Sequence, residues 1–393
     1  MRAIISLSVL FFLSSCAAAD WPQFRGPNAD GFAPDKNINK NWKSKPPKEI
    51  WRISLGDDGF AGPSVAAGKL FIIDHQGGDT DVVRAVNVAT GKDVWTFPYQ
   101  DGGKTDYGYA RSTPTFDNGK LYTLGRVGNL FCLDAQDGKK IWSCNLKADF
   151  QGQTGQWDYA ASPLVDDNKL IVCPGGEASV VALDKNTGKE IWRCGKDLAG
   201  YATPVIATLG GKRQYLIFAG KSLMGVSPDG KLLWNFPWET SYDVNAAAPI
   251  AVKDFVFISS GYNHGCALVN PNNGKPVWTS KEIQAHFSSA VLSGGSIYGT
   301  GDPGNLVCLD PGTGKARWKH PGFEKGGLAG VDGVLIVMDG EHGDVVMVNM
   351  VPTGYQELGR IKPLDGRSWT APIISDGKLF VRNKQALVCL DLK

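Results

Sequence analysis

Residues 178–192, A-S-V-V-A-L-D-K-N-T-G-K-E-I-W, contain one complete β-hairpin. Residues 178–183 are an apolar run of strand length that is rich in Val. Asp184 opens a polar turn in which its carboxylate accepts hydrogen bonds from the backbone amides ahead of it, and Gly188 supplies the positive φ that closes the hairpin. Residues 190–192 then begin the return strand. Because one hairpin cannot bury a Trp, this stretch predicts a fold in which the unit is repeated and stacked.

The same turn, followed by a Trp, recurs along the chain. From Trp51 onward, successive copies end 44, 47, 50, 42, 44, 40 and 40 residues apart, and the last copy ends at Leu358 without a Trp. A period of roughly 40–50 residues holding about four short strands is typical of a β-propeller. We therefore expect an all-β fold in which each copy forms one blade.

The two ends of the repeat region complement each other. An eighth copy starts at Ala371 and stops near Asp391 without its Trp strand, whereas residues 49–52, E-I-W-R, are a Trp strand with no blade before them. Pairing the two would leave no open sheet edge. The sequence thus predicts an eight-bladed propeller of four-stranded antiparallel blades over residues 49–393, closed by its first strand.

The start of the chain has the features of an export signal. Arg2 precedes an apolar core at residues 4–13, and three Ala at 17–19 form a small-residue cleavage site. Residues 13–16, L-S-S-C, also fit the bacterial lipoprotein pattern, in which Cys16 is lipidated and becomes the new N-terminus. Cleavage of a signal peptide at residues 1–19 and lipidation of Cys16 remain open alternatives. Either one predicts export to the periplasm or cell envelope, and only the second provides a membrane anchor, at Cys16.

Residues 20–48 are predicted to be an irregular N-terminal arm, in which Trp21 and Phe24 are expected to pack against the side or base of the propeller, with ligand contact as the less favoured alternative. The chain carries 41 basic and 39 acidic residues without a basic cluster, which excludes nucleic acid as a partner. We expect a monomer. Of the eight cysteines, Cys144, Cys173 and Cys194 lie in neighbouring repeats, and the sequence alone does not decide whether two of them form a disulfide.

The repeat A-x-D-x-x-T-G-K-x-x-W resembles that of the pyrroloquinoline-quinone-type propeller family over residues 51–393. That family includes quinoprotein alcohol dehydrogenases and the scaffold lipoprotein of the outer-membrane β-barrel assembly machine. The resemblance implies the fold and leaves the function open, because enzymes and non-enzymes share the repeat.

Even spacing identifies a set of Trp residues as blade-to-blade docking residues. Burying one Trp removes about 150–250 Å² from water, a large stabilisation. The predicted docking residues are Trp51, Trp95, Trp142, Trp192, Trp234, Trp278 and Trp318.

Candidate ligand-binding residues lie in the segments that enter each inner strand, because these segments meet at one mouth of the channel. Aromatic, Arg, carboxylate, Asn and His side chains on one rim could bind a planar polyanionic quinone or an extended peptide, or form a plain polar rim. The candidates are Asp58, Phe60, Tyr109, Arg111, Asp158, Tyr159, Tyr201, Asn245, His286, Phe287, Arg367 and Trp369, flanked by Tyr107, Trp157 and Tyr242.

Two functions follow from the resemblance. The predicted one is a non-enzymatic binding or scaffold module of the envelope that binds a protein or peptide, with a small ligand as a further option. The alternative is a quinoprotein dehydrogenase for an alcohol or sugar, with pyrroloquinoline quinone and calcium at the mouth and Asp158 as base. Short loops, the lack of adjacent cysteines and the lack of a C-x-x-C-H haem motif favour the first. No metal site and no cofactor are firmly predicted, since the five His are scattered.

Overall fold

The computed structural model describes residues 19–56, 58–102 and 107–393. Residues 1–18, which hold most of the predicted signal peptide and Cys16, lie outside the described residues. Within the described part of the chain, no helix is long and apolar enough to cross a membrane.

The hairpin at residues 178–192 forms as the sequence predicts. Strand Val180–Asp184 is buried and pairs antiparallel with strand Glu190–Cys194, which is largely exposed. In the turn between them, Oδ1 of Asp184 accepts hydrogen bonds from the amides of Asn186 (3.0 Å) and Thr187 (2.9 Å). Gly188 has φ = 72°. The conformation of the turn is therefore set by the Asp184 side chain and by Gly188, the two positions that recur in the repeat.

The described residues form eight four-stranded antiparallel blades, one of which gains a fifth, parallel strand from the N-terminal arm, so the predicted eight-bladed propeller is confirmed. Strands are numbered in chain order, and each blade runs from its innermost strand outward. Blade 1 contains β3 (Ser64–Ala66), β4 (Lys69–Gly77), β5 (Thr80–Asn87) and β6 (Asp93–Gln100), and blade 2 contains β7 (Thr115–Asp117), β8 (Lys120–Leu124), β9 (Asn129–Asp134) and β10 (Lys140–Asn145). Blade 3 contains β11 (Leu164–Asp166), β12 (Lys169–Val172), β13 (Val180–Asp184) and β14 (Glu190–Cys194). Blade 4 contains β15 (Val205–Leu209), β16 (Lys212–Phe218), β17 (Ser222–Val226) and β18 (Leu232–Pro237). Blade 5 contains β19 (Ile250–Val252), β20 (Phe255–Ser260), β21 (Gly265–Asn270) and β22 (Lys275–Ser280), and blade 6 contains β23 (Val291–Ser293), β24 (Ser296–Gly301), β25 (Asn305–Leu309) and β26 (Ala316–Pro321). Blade 7 contains β27 (Leu328–Val331), β28 (Val334–Met338), β29 (Val345–Asn349) and β30 (Glu357–Ile361). Blade 8 contains β31 (Ile373–Ser375), β32 (Lys378–Arg382), β33 (Ala386–Asp391) and β2 (Lys48–Ser54).

Blade 8 is completed by the first propeller strand. Strand β2 pairs antiparallel with β33, and Trp51 lies opposite Cys389. The two ends of the propeller are thereby joined in one sheet, as the repeat pattern predicts. A short α-helix (Leu146–Phe150) and one 3₁₀ turn (Ser241–Asp243) complete the regular structure of the described residues.

The repeated Trp side chains connect neighbouring blades. Nε1 of Trp142 in blade 2 donates to the carbonyl oxygen of Lys185 in the outer turn of blade 3 (3.0 Å), and its ring lies against Gly188 of the same turn. The indoles of Trp51, Trp95, Trp192, Trp278 and Trp318 donate in the same way to carbonyls of the following blade. Trp234 differs, because its Nε1 donates to Oε1 of Gln214 in its own blade (2.6 Å).

Gly188 is required both for its backbone angle and for its missing side chain. A Cβ added there would lie 2.7 Å from Cε3 of Trp142, whereas one added at Gly210, which also has positive φ (55°), would meet no described atom within 4 Å. Gly188→Ala is expected to lower the free energy of unfolding by about 1–3 kcal/mol more than Gly210→Ala, because overpacking adds to the shared φ penalty. Urea unfolding of both variants measures the difference, and equal losses would contradict a steric role for Trp142.

The hydrophobic core is divided into clusters that lie between adjacent blades. Tyr122 and Leu130 of blade 2 pack with Leu170 and Val181 of blade 3, for example, and all four are fully buried. The disulfide left open by the sequence does not form, since Cys144, Cys173 and Cys194 are free thiols.

The N-terminal arm enters the central channel. We call the channel end at which the chain enters the innermost strands the mouth, and the opposite end the base. Trp21 exchanges two backbone hydrogen bonds with Val65 of β3 (2.8 Å each), and strand β1 (Phe32–Ala33) pairs parallel with β27, so both ends of this loop join innermost strands. The ring of Phe32 lies over Gly330, where any side chain would clash. Residues 21–33 therefore close the channel from the base.

The arm then runs outward beneath blades 7 and 8. The amide of Gly377 donates to Oδ1 of Asp35 (2.6 Å), and the amide of Asn39 donates to the carbonyl of Leu392 (2.7 Å). Trp42 is only 2% exposed and packs against Gly359 of β30, the outer strand of the blade whose repeat lacks a Trp. The arm thus supplies an indole next to the blade that has none of its own.

Candidate functional site

A cavity of about 230 Å³ lies on the propeller axis. Its floor is formed by Trp21, Phe24 and Arg25 of the arm, and its walls by the residues that open the innermost strands. Because the arm closes the base, the cavity is a blind well that opens toward the mouth. It lies below the roughly 300–1,000 Å³ of a drug-sized site, so its ligand must be small.

The walls of the well are held by hydrogen bonds between blades. The amide of Thr113 donates to Oγ of Ser162 (2.9 Å), and the amide of Ser162 donates to Oγ1 of Thr203 (2.9 Å). The amide of Ala248 likewise donates to Oγ of Ser289 (2.9 Å). Thr113, Ser162 and Thr203 each precede the Pro at the start of an innermost strand, and their hydrogen bonds fix the spacing of adjacent blades around the well.

Seven aromatic side chains form a closed ring around the mouth, here called the aromatic collar. Neighbouring ring centroids are 4.6–6.3 Å apart around the whole circuit. Phe60 stacks on one member of the collar at 4.9 Å, and Tyr201 contacts another at 6.1 Å. The members are Trp369, Phe287, His286, Tyr262, Tyr242, Trp157 and Tyr107.

The charged groups of the well are cationic. Arg25, Arg111 and Lys325 line it, and no Asp or Glu occurs among the described lining residues. Nζ of Lys325 lies 5.5 Å from the centroid of the Trp369 ring, on whose face the guanidinium of Arg367 also lies at 5.0 Å. The positive charges of the lining favour an anion over a cation in the well.

Arg111 and Trp157 present hydrogen-bond donors that the described residues do not use. One guanidinium nitrogen of Arg111 donates to the carbonyl of Trp157, but its Nε has no partner in the described part of the chain. Nε1 of Trp157 is likewise buried without a described partner. Burial lowers the pKa of Arg111 to about 10, which still leaves it charged at neutral pH.

Arg25 has a different role, although it also lines the floor. Its three donor nitrogens reach the carbonyls of Ala29 (3.1 Å), Asp30 (2.9 Å) and Ala290 (2.8 Å). Burial lowers its pKa to about 10. Arg25 therefore holds the arm in shape and fixes it to blade 6, and adds positive charge beneath the well.

The structure brings together half of the twelve candidates from the sequence. Those that line the well are Phe60, Arg111, Tyr201, His286, Phe287 and Trp369.

The other six candidates do not line the well. Asp58 and Arg367 lie at the rim, where they pair with Lys384 (3.4 Å) and Glu341 (3.4 Å). Tyr109 stacks on His75 with ring centroids 3.5 Å apart.

Tyr159 and Asn245 point into the blades. Tyr159 donates its hydroxyl to the carbonyl of Pro174 (2.8 Å), and fully buried Asn245 donates to the carbonyls of Ala219 and Gly220 (2.9 Å each). These two side chains satisfy backbone acceptors that the loops leave open.

Asp158, the candidate base, is bound to two cations. Its Oδ2 accepts from Arg126 (2.7 Å) and its Oδ1 from Lys147 (2.6 Å). Both carboxylate oxygens are thus engaged outside the well, an arrangement suited to stabilising a loop and unsuited to proton abstraction.

Five aromatic or charged lining residues were neither among the twelve candidates nor among the aromatic residues that flank them. Trp21, Phe24 and Arg25 belong to the arm, whose entry into the channel has no periodic signal. Tyr262 lies in the loop after β20 and Lys325 before β27, at positions that the inner-strand search did not include. For Tyr262, the one available signal was an aromatic residue in the turn G-Y-N.

Two buried carboxyl groups lie beside the well between blades 1 and 2. Oδ1 of Asp81 pairs with Nδ1 of His75 (2.8 Å), and Oδ2 of Asp101 accepts from the amide of Arg126 (2.6 Å). Burial, assisted by the charge of Asp81, raises the pKa of Asp101 to about 7. The fold therefore favours the protonated form of Asp101.

This raised pKa predicts an unusual pH dependence. Protonation of Asp101 contributes stability in full below about pH 4, and this contribution is lost as pH rises through about 7. We expect the free energy of unfolding to fall by about 2–4 kcal/mol over that interval through this group. Urea titrations across pH 4–8 measure it. Asp101→Asn should flatten the profile and exposed Asp137→Asn should not; an unchanged slope in Asp101→Asn would contradict the assignment.

The comparisons with known proteins agree with this geometry. A family model described as outer membrane protein assembly factor BamB, a PQQ-type repeat, matches residues 78–320, more than half of the chain. The chain belongs to this family. No curated protein matches the chain.

Solved structures show the same fold at low sequence identity. BamB from Moraxella catarrhalis has a TM-score of 0.64 at 16% identity, covering 88% of this chain and 99% of its own. Quinohemoprotein alcohol dehydrogenase ADHIIG from Pseudomonas putida HK5 has a TM-score of 0.72 at 14% identity, covering 95% and 80%. A europium-containing methanol dehydrogenase has 0.70 at 13%, covering 95% and 98%. This BamB-family chain therefore shares its propeller with both non-enzymes and dehydrogenases.

The lining of the well does not fit a calcium-dependent quinone cofactor. Calcium takes six to eight oxygen ligands, usually including several carboxylates, and the described lining contains no carboxylate. No group of three or more His, Cys, Asp or Glu among the described residues is arranged to hold a metal ion. Asp158, the base predicted from the sequence, lies outside the lining and is paired with Arg126 and Lys147.

Proposed function

We propose that this BamB-family chain is an exported, non-enzymatic binding module of the bacterial cell envelope, and that the well under the aromatic collar is its binding site. One observation carries the proposal. The well combines aromatic walls with Arg111 and Lys325, and its described lining lacks a carboxylate that could act as a general base. Such a site can hold a ligand, and the imidazole of His286 in its lining already pairs through Nε2 with Oδ2 of Asp302 (2.5 Å).

The closed base restricts how a ligand enters. Residues 21–33 occupy the channel below the well, so a polypeptide cannot pass through the propeller. A small molecule or the end of a chain can enter from the mouth, and the middle of an extended chain cannot. An envelope protein could still dock on the rim, with only its terminus or a bound ligand in the well.

Export is the second part of the proposal. The apolar segment at residues 4–13 followed by A-A-A at 17–19 supports it, and so does the envelope role of the BamB family. Fractionation of the source organism tests it directly. Recovery in the periplasm or membrane fraction is expected, and recovery in the cytosol would contradict it.

A filled well tests the binding role in cells. Ala246 lines the well and lies between β18 and β19, so Ala246→Trp is expected to occupy the cavity while leaving the blade cores intact. The matched control is Val94→Trp, which adds the same bulk at an exposed position of outer strand β6.

The filled-well allele is expected to reproduce the phenotype of a deletion strain, and the control allele is expected to behave as wild type. Both proteins must first show wild-type melting temperature. Full function of the Ala246→Trp allele at normal protein level would contradict the well as binding site.

A further inference from the structure

We infer that the well recognises a small organic acid, in which one carboxylate meets Arg111 and Trp157 and a flat apolar body contacts the aromatic collar. This inference rests on the proposed function and adds the chemical class of ligand. The shared chemistry is a carboxylate on an apolar group, supplied either by a free small molecule or by the C-terminal residue of a polypeptide.

The first ground is the pair of unused donors. Nε of Arg111 and Nε1 of Trp157 are buried, lie in residues that line the same cavity and have no partner in the described chain. A buried donor without an acceptor is costly, so an acceptor supplied from outside is favoured. Because the guanidinium of Arg111 donates to the backbone carbonyl of Trp157, the two residues adjoin, and we infer that their two donors serve the two oxygens of one carboxylate.

The second ground is charge. Arg25, Arg111 and Lys325 border the well, and the described lining holds no opposing carboxylate. His286 does not alter this balance, because its Nε2 pairs with Oδ2 of Asp302 (2.5 Å). The well therefore favours an anion and disfavours a cation of the same shape.

The third ground is the shape and chemistry of the remaining surface. Trp369 stacks on Phe60 (4.9 Å) and contacts Phe287 (5.2 Å), and the collar continues through Tyr107 to Trp157, which contacts Tyr201 (6.1 Å). A cavity of about 230 Å³ between them suits a one- or two-ring body and is too small for a large cofactor. Aromatic faces bind flat apolar groups without requiring a specific hydrogen-bond pattern.

Calorimetry with three matched probes tests the ligand class. Indole-3-acetate, its neutral amide and tryptamine share one ring system and differ in charge. The purified protein is expected to bind the acid at least about tenfold more tightly than the amide, and to bind tryptamine more weakly than either. A pentapeptide that ends in Trp, compared as the free acid and the C-terminal amide, distinguishes a chain end from a free molecule as the source.

Variants locate the carboxylate. Arg111→Gln and Trp157→Phe are each expected to weaken binding of the acid, by about tenfold for Arg111→Gln, while changing binding of the amide little. Trp157→Phe keeps an aromatic ring and serves if Arg111→Gln fails to fold. The matched control is Arg193→Gln on exposed outer strand β14, which should bind as wild type.

The outcomes separate this inference from the proposed function. Equal affinity for acid and amide, or binding of the acid unchanged in both variants, would overturn the ligand class and leave the well as a binding site. Absence of binding by every probe, combined with a functional Ala246→Trp allele, would overturn both.

Discussion

Trp21→Ala is expected to lower the free energy of unfolding by about 3–5 kcal/mol. Trp21 is 3% exposed, belongs to the largest core cluster and exchanges two backbone hydrogen bonds with Val65 of the innermost strand of blade 1. Removing the indole leaves a cavity at the floor of the well that the rigid propeller cannot close. Urea unfolding followed by circular dichroism gives the loss.

A control on the collar shows whether this loss is specific to the arm. Tyr242 is 59% exposed, so Tyr242→Ala removes an aromatic side chain of the same region with a change expected within about 0.5 kcal/mol. Wild-type stability for Trp21→Ala would mean that the arm is dispensable for the fold. The well would then lack a permanent floor.

Trp142→Ala is expected to lower the free energy of unfolding by about 3–4 kcal/mol. Its ring lies against Gly188 of the next blade and its Nε1 donates to the carbonyl of Lys185. Both contacts hold blade 2 against blade 3. Because the blades form a closed ring, neither blade can shift to fill the space that the indole leaves. Thermal and urea unfolding measure it.

Trp142→Phe divides this effect into two parts. It keeps most of the packing and removes the hydrogen bond, so a loss of about 1 kcal/mol is expected. Equal losses for Ala and Phe would assign the stabilisation to the hydrogen bond alone. Negligible loss for both would contradict docking by the repeated Trp.

The architecture could be predicted because its signals are local and repeated. The turn at Asp184 and Gly188 specifies its own geometry within five residues, and six further copies, one shortened and one degenerate, repeat the signal. The orphan strand at Trp51 and the incomplete blade at Cys389 complement each other in sequence, and they pair in the structure. Propeller closure therefore follows from counting strands.

The site could be predicted only in part, because its geometry depends on irregular segments. Asp158 and Tyr159 are adjacent in a loop without strand alternation, and the sequence gives no rule that turns both side chains away from the well. The contact of Phe32 with Gly330 joins positions almost 300 residues apart, and it depends on the absence of a side chain at one strand position. Neither the orientation of these loop side chains nor the Phe32–Gly330 contact produces a repeating pattern in the sequence.

The chemistry of the lining bears on the function that the fold alone leaves open. Arg111 and Trp157 offer donors, the collar offers flat apolar surface, and the described lining contains no carboxylate. Because the same propeller and repeat are compatible with two functions, this lining supports the binding role that we propose.

The most direct test is calorimetry of the purified protein against pyrroloquinoline quinone with and without calcium, followed by dye reduction with simple alcohols and sugars. The account predicts that calcium leaves any heat of binding unchanged and that no dye is reduced. Calcium-dependent binding together with dye reduction, both lost in Arg111→Ala, would contradict it and make this chain a quinoprotein dehydrogenase.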